Sequence, residues 1–184
     1  MKIRTFFLNR WQVLKLKMST KGNLTGLTAV KGSSYIHIND GADIGENSKI
    51  LCWDKYIFNK NVQVLTPCVQ IGKNFRATSD LTIQCGGSIN IGDDVLLARN
   101  VFIIDYNHGI NPNSMNYLSN ELQIKSVKIG NGVWIGNNVT ILPGTNIGNK
   151  CIIGAGSVVK AKIEDYCMVA GNPAKVIKKY NKDL

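Results

Sequence analysis

Two histidines occur in the 184 residues, His37 and His108. Only His108 sits among other groups able to do chemistry. It lies in IDYNHGINPNSMNYLSNELQIKS, residues 104–126, with five asparagines, two tyrosines and Glu121. An imidazole exchanges a proton near neutral pH, which suits a general base. Its second ring nitrogen needs a partner that fixes its direction. Asp105 and Glu121 are the carboxylates at hand; Asp105 equally suits an Asx-turn within the segment. Asn107, or backbone N–H groups, could meet a developing oxyanion. His37 reads as a packed or surface residue. The cysteines, Cys52, Cys68, Cys85, Cys151 and Cys167, form no C-x-x-C and occupy no recognisable nucleophile setting. They read as free thiols of a reducing compartment. Two histidines far apart are too few for a three-histidine zinc site, so no metal is expected.

What must position His108 is a repeat. From Ile129 to Val159 an aliphatic residue returns every six positions: Ile129, Ile135, Ile141, Ile147, Ile153 and Val159. Glycine follows four of them, at Gly130, Gly136, Gly148 and Gly154. Six is neither the helical period nor plain strand alternation, so the pattern marks a repeat architecture. The register begins at Ile38 and runs through Ile44, Ile50, Tyr56 and Val62. It breaks near Pro67 and resumes at Ile71, Ala77 and Ile83. A two-residue insertion at Ile89–Asn90 shifts it to Ile91, Leu97 and Ile103. The fifth position of the hexad is usually small or β-branched: Ala42, Ser48, Thr66, Val95, Val101, Val133, Val139, Thr145, Cys151, Ser157. Two inward positions per hexad suit a short strand and a turn, and three such units close one triangular coil. About seventeen hexads give between five and six coils of a parallel β-helix, roughly 25 Å tall at the spacing of paired strands. Spacing does not give the hand; crossovers are usually right-handed. Residues 104–126 interrupt the repeat, and an excursion of that length is usually functional.

The chain divides into a lead-in and cap (1–37), the repeat with its excursion (38–170) and a basic tail (171–184). Gly171-Asn172-Pro173 is a turn or helix-start signal, and Ala174 to Lys182 is expected as a short basic helix. Residues 1–21 carry six bases and no acid, and the two ends supply nine of the ten net positive charges. Ile3, Phe7, Trp11, Leu14 and Met18 share one helical face, whereas Leu14 to Met18 alternates as a strand would. Capping the raw end of the stack is the favoured role; lying on a membrane surface is the alternative. No apolar run is long enough to span a bilayer. The expected location is the cytoplasm, or the inner face of the membrane if the N-terminus binds lipid. No P-loop and no strand-to-helix G-x-G-x-x-G is present, and no nucleic-acid partner is expected.

IGNGVWIGNNVTILPGTNIGNKCIIGAGSVV followed by VAGNPAKVIKK resembles the hexapeptide-repeat acyltransferases. With DYNHGI and the Asn/Ser-rich stretch behind it, the chain is most similar to O-acetyltransferases of bacterial surface polysaccharides. The resemblance covers residues 38–180. It implies an all-β, left-handed parallel β-helix, a homotrimer with active sites between subunits, and acetyl-CoA as co-substrate. It matches the catalytic histidine to His108 and an acidic residue of galactoside-type members to Glu121. Contacts with the cofactor are implied at Trp134, Asn137, Ala155, Lys160, Ala161, Lys175 and Lys178. Trp134, beside an inward Ile, suits a wall for cofactor or acceptor. Two departures stand out. Thr78 and Gly86 occupy the substrate-binding positions where galactoside-type members hold the sugar with Asn and Asp, and Lys160-Ala161 replaces a usual Thr-Lys pair.

The implied reaction is direct acetyl transfer to a sugar hydroxyl of a surface polysaccharide or its precursor, with His108 as base and no acyl-enzyme. N-acetylation of an amino-sugar nucleotide is the alternative within the enzyme class. A non-catalytic β-helix scaffold is the alternative outside it.

Overall fold

The structure is a computed structural model. It describes residues 2–111, 113 and 116–181, with residues 2–9 described by their backbone alone. Three flat faces wind around one axis. The first holds strands Leu27–Lys31, Ser48–Cys52, Thr82–Cys85, Phe102–Ile104, Thr140–Ile141 and Val158–Val159, in that order. The second holds Ile36–Ile38, Cys68–Ile71, Ser88–Ile91, Val127–Ile129, Asn146–Ile147 and Lys162–Ile163. The third runs from Asp43–Ile44 through Trp134–Ile135 to Cys167–Gly171. Each pairing between successive coils is parallel, so the expected parallel β-helix is present, with six coils. It starts earlier than Ile38, because Leu27–Lys31 already pairs with Ser48–Cys52.

The hexad supplies the core and the corners together. Ile50, Ile83, Ile103, Ile135 and Ile141 are fully buried. Three residues after the inward aliphatic the chain bends with positive φ: Asn74, Asp80, Asp94, Asn100 and Asn138, with glycine at Gly132 and Gly144. Asn, Asp and Gly reach that left-handed region at least cost. The fifth position is buried at nine of its ten sites; Thr66 alone is exposed. Polar residues are tolerated there because they bond the corner. Ser48 Oγ, Thr145 Oγ1 and Ser157 Oγ donate to carbonyls three residues back, at 2.7, 2.7 and 2.6 Å.

One corner, between the first and second faces, carries every large irregularity. Tyr56 and Val62 are not core residues, contrary to the register. The chain leaves the coil after Cys52 and forms an antiparallel hairpin, Lys55–Phe58 with Asn61–Val64. Asn59 and Lys60 both have positive φ, as a two-residue primed turn requires. Val62 is 56% exposed. On the next coil the extra two residues lie at the Gly86–Gly87 corner rather than at Ile89–Asn90, since Ile89 is fully buried in a strand. On the coil after that, the 104–126 excursion leaves as the strand Tyr106–His108 and returns as Leu122–Ile124, paired antiparallel.

Asp105 holds this corner. Its side chain is fully buried, and its two carboxylate oxygens accept from Gly86 N–H and Gly87 N–H, each at 2.8 Å. The Cys85 thiol lies 3.4 Å away as a further donor. A side chain on Gly87 would stand 2.3 Å from Ile124 Cγ2, so only glycine lets the excursion seat there.

Two further expectations change at the ends. Ala174–Lys179 is a strand antiparallel to Cys167–Gly171, not a helix. The last coil offers an unpaired backbone edge, and β-branched Val176 and Ile177 suit a strand that covers it; Lys182 lies outside the described residues. At the other end Lys2–Met18 is a helix packed on the first coil. Its buried side is Leu16 with Val13, whereas Trp11, Leu14 and Met18 are 58%, 55% and 80% exposed. The face read from the sequence therefore looks outward; the side chains of Ile3 and Phe7 lie outside the described residues. Among the described residues no helix is long and apolar enough to cross a membrane.

Two predictions follow from this packing. Ile135→Ala should cost about 2–5 kcal/mol by leaving a core cavity, while Val62→Ala stays within about 0.5 kcal/mol as an exposed change. Equal losses in a urea titration would contradict the hairpin. Asp105→Ala should cost about 3 kcal/mol, because two buried N–H groups lose a charged acceptor. Asp105→Asn, which keeps one acceptor, should fall between; a wild-type melting curve for Asp105→Ala would overturn the corner assignment.

Candidate active site

The two excursions from this corner lean on each other, and His108 lies where they meet. Alternation along Tyr106–His108 turns Tyr106 and His108 to one side and Asn107 to the other. Opposite stands the hairpin of residues 55–64. Three of its side chains reach across. The Gln63 amide bonds the backbone of Leu122 twice, accepting from N–H at 2.7 Å and donating to C=O at 3.0 Å. Asn59 Nδ2 donates to Ser119 C=O at 3.2 Å. Tyr56 Oη lies 3.3 Å from His108 Nδ1, with the rings edge to face at 5.6 Å. The base of the excursion is pinched by Gly109 N–H to Glu121 C=O, 2.9 Å, and Asn120 Nδ2 to Gly109 C=O, 3.0 Å.

Between hairpin and excursion lies a cavity of about 190 Å³, lined by Trp53, Lys55, Tyr56, Tyr106, His108 and Leu122. It is below the 300–1,000 Å³ typical of drug-sized ligands, roughly the scale of one sugar ring. Its walls are aromatic with a few polar tips, which suits a sugar. Burial, then the charge of Asp105, pushes the Tyr106 phenol up to about 12. The phenol therefore stays protonated and donates to Gln84 Oε1 at 2.8 Å. Trp53 Nε1–H is buried and closes no hydrogen bond among the described residues. The Lys31 ammonium sits 3.3 Å from the Trp53 ring centroid, and burial lowers its pKa.

The residues singled out from the sequence fall into separate groups. His108 is exposed at the cavity. Asp105 does not orient it: both carboxylate oxygens are taken by the Gly86–Gly87 corner. Glu121 is exposed, and its backbone carbonyl rather than its carboxylate makes the bond to Gly109. Asn107 is exposed on the opposite side of the strand. Gly86 is buried beneath the excursion. Lys160 and Ala161 sit on the same corner, two coils on from Asp105.

Trp134, 51% exposed, lies on the third face beside Leu96 and Ile152. Thr78, Asn137 and Ala155 follow the corner between the third and first faces. There Thr78 Oγ1 donates to Leu97 C=O at 3.2 Å, and Asn137 Oδ1 accepts from Arg99 N–H at 3.0 Å. Lys175 and Lys178 are exposed on the end strand. The first face stands between the two groups.

The six-residue spacing conceals Tyr56 and its neighbours Trp53 and Lys55, because Tyr56 and Val62 fall on it by coincidence. The alternating runs around Asn59–Lys60 were the signal for a hairpin. Two thiols are held protonated: hydrogen bonding with Cys52, burial and the Asp105 charge all raise the Cys85 pKa, and burial raises that of Cys151.

Comparison with known proteins agrees with this fold. Residues 126–161 match the bacterial transferase hexapeptide (six repeats) family. A putative lipopolysaccharide biosynthesis O-acetyl transferase, WbbJ of Escherichia coli K12, is 48% identical over 101 residues, 51% of this chain and 52% of that protein. Galactoside O-acetyltransferase of the same organism is 35% identical over 140 residues, 76% of this chain and 64% of that one. The chain thus spans between half and two thirds of the length of these relatives. The solved galactoside acetyltransferase with coenzyme A superposes with a TM-score of 0.60 at 26% identity, over 97% of this chain and 82% of that one. A mutant of AntD, an N-acyltransferase from Bacillus cereus solved with dTDP and coenzyme A, shares the fold with a TM-score of 0.70 at 16% identity, over 94% and 90%. With its hexads wound into six coils, the chain shares the parallel β-helix fold of these proteins and is similar to the hexapeptide-repeat acyltransferases.

Proposed function

We propose that this protein transfers an acetyl group from acetyl-CoA to a hydroxyl of a sugar in a surface polysaccharide or its precursor. The observation that carries the reading is His108 at the edge of a sugar-sized aromatic cavity, held between two excursions of a rigid coil. His108 takes the hydroxyl proton as the oxygen attacks the thioester carbonyl. The new C–O bond forms, negative charge passes to the carbonyl oxygen, and backbone N–H groups meet it. The C–S bond then breaks, and the imidazolium returns its proton to the departing thiolate. No acyl-enzyme is required.

The chain's exposed cations fit the phosphates of acetyl-CoA as point charges: Lys160 at the corner, Lys175 and Lys178 on the end strand. Trp134 offers an exposed apolar wall beside Ile152. One chain places Trp134, Asn137 and Ala155 away from His108, with the first face between. A homotrimer that sets one chain's His108 against a neighbour's Trp134 edge would complete the site.

The outward face of the N-terminal helix carries Trp11, Leu14 and Met18, flanked by Arg10, Lys15 and Lys17. Such a face suits an anionic membrane surface, and would bring the enzyme to a lipid-linked acceptor at the inner face of the membrane.

Release of free thiol from acetyl-CoA should depend on a sugar acceptor, and His108→Ala should lower it about 10²–10⁴-fold. Coenzyme A binding, read by calorimetry, should survive that change, and the active species should sediment as three chains. An active His108→Ala variant would remove the base assignment. Full turnover in a single chain would remove the shared site, and acceptance only of amino-sugar nucleotides would move the reaction to N-acetylation. Vesicles containing phosphatidylglycerol should pellet the protein, whereas phosphatidylcholine alone should not. Lys15→Glu with Lys17→Glu should weaken that binding; indifference to lipid charge would leave the helix as a cap alone.

A further inference from the structure

The hydroxyl of Tyr56 has two neighbours, and together they decide which nitrogen of His108 carries the proton. One is His108 Nδ1 at 3.3 Å; the other is the Leu118 carbonyl oxygen, also at 3.3 Å. A phenol owns one proton, and its oxygen can also accept. A backbone carbonyl can only accept. Both contacts are hydrogen bonds at once only when the Tyr56 proton points at Leu118 and the bond to the imidazole runs from Nδ1–H to the phenolic oxygen. A neutral imidazole has one N–H. With it on Nδ1, the lone pair is left on Nε2.

We propose that Tyr56 is a positioning residue that holds His108 as the Nδ1–H tautomer with Nε2 free to act as base. The proposal rests on the reading of His108 as the general base. It gives Tyr56 the orienting role that the sequence offered to Asp105 or Glu121, neither of which points its carboxylate at the ring. The arrangement is unchanged by catalysis. Neutral imidazole and imidazolium both carry the Nδ1 proton, so the bond to Tyr56 persists while Nε2 gains and loses its own.

The surroundings fix each member of the relay. Tyr56 pairs across the hairpin with Gln63, whose amide is tied both ways to Leu122, the strand partner of His108. The Tyr56 ring stacks on Phe58, 5.9 Å between centroids. The Leu118 carbonyl is aimed by a turn of 3-10 helix, Tyr117–Ser119, in which Asn116 Oδ1 accepts from Leu118 N–H at 3.0 Å.

The test uses the full-length protein with its histidines labelled with ¹⁵N, alongside Tyr56→Phe, which keeps the ring and removes only the hydroxyl. In the wild type, ¹⁵N shifts should show a protonated Nδ1 and a bare Nε2 on His108; in Tyr56→Phe the proton should redistribute toward Nε2. The variant's kcat should fall about 10–100-fold, as loss of an orienting partner typically does, with KM for acetyl-CoA unchanged. A wild-type His108 protonated on Nε2 would overturn the proposal whatever the variant does, so it stays testable even if Tyr56→Phe folds poorly. Wild-type kcat and an unaltered tautomer in the variant would overturn it as well. Undiminished turnover in His108→Ala would instead remove the base reading, while the tautomer measurement would still report on the Tyr56 bond.

Discussion

Two hydrogen bonds from Gly86 and Gly87 to the buried Asp105 carboxylate hold the corner on which the proposed chemistry depends. Above and below that corner two stretches of chain leave the coil, and each alone would be a mobile projection. A lone hairpin is marginal in water. Here the 104–126 excursion rests on the Gly86–Gly87 seat, and the hairpin of residues 55–64 is laced to it by Tyr56, Asn59 and Gln63. A buried carboxylate gives such a seat more than size would suggest. Charge-assisted bonds to two successive N–H groups fix the direction of the peptide planes as well as their position. Asp105 thus acts on His108 without touching it, by fixing where the strand Tyr106–His108 begins.

The coil contributes stiffness. Parallel ladders run along three faces, and the left-handed residues at the corners leave little freedom between strands. Asn and Asp in that conformation also bond the coil alongside. Asn74 Nδ2 meets Asp94 Oδ1 at 3.0 Å, and Asn100 Nδ2 meets Asn138 Oδ1 at 2.9 Å. Polar residues that seem misplaced in a hydrophobic repeat therefore join one coil to the next.

What the sequence disclosed follows from this periodicity. Wherever core and corner recur at six residues, as from Ile91 to Ile103 and from Ile129 to Val159, pattern and structure coincide. The loss came where the period continued by accident. Ile50, Tyr56 and Val62 are six apart, yet the last two lie on the hairpin, because local alternation around Asn59–Lys60 and the pairing of residues 55–58 with 61–64 outweigh a count of six. The same cause hid Tyr56 from the site. His108 was legible because a histidine in a long excursion is conspicuous; its partner was disguised as a core residue. Asp105 shows the opposite error. Two positions from His108 in sequence, it looked like an orienting acid, but its side chain turns inward to bond the corner. The C-terminal strand is not legible in the sequence, because the unpaired edge it covers exists only once the coils are stacked.

The separation of the candidate residues into two groups has a mechanical consequence. A stack of paired coils cannot bend one edge toward another, since each rung is bonded to the rungs on both sides. His108 and the Trp134–Asn137–Ala155 edge stay apart in any conformation that keeps the core. In the proposed reaction, a ligand that touches both would lie between two copies of the chain, with one supplying the base and the other the wall. Specificity for the acceptor would then rest with the excursions, where hairpin and loop shape the cavity beside His108. Recognition of the thioester carrier would rest with the regular coil and the basic end strand. That division fits the sequence itself, in which the coil that would face the carrier keeps its period and the corner that would face the acceptor breaks it.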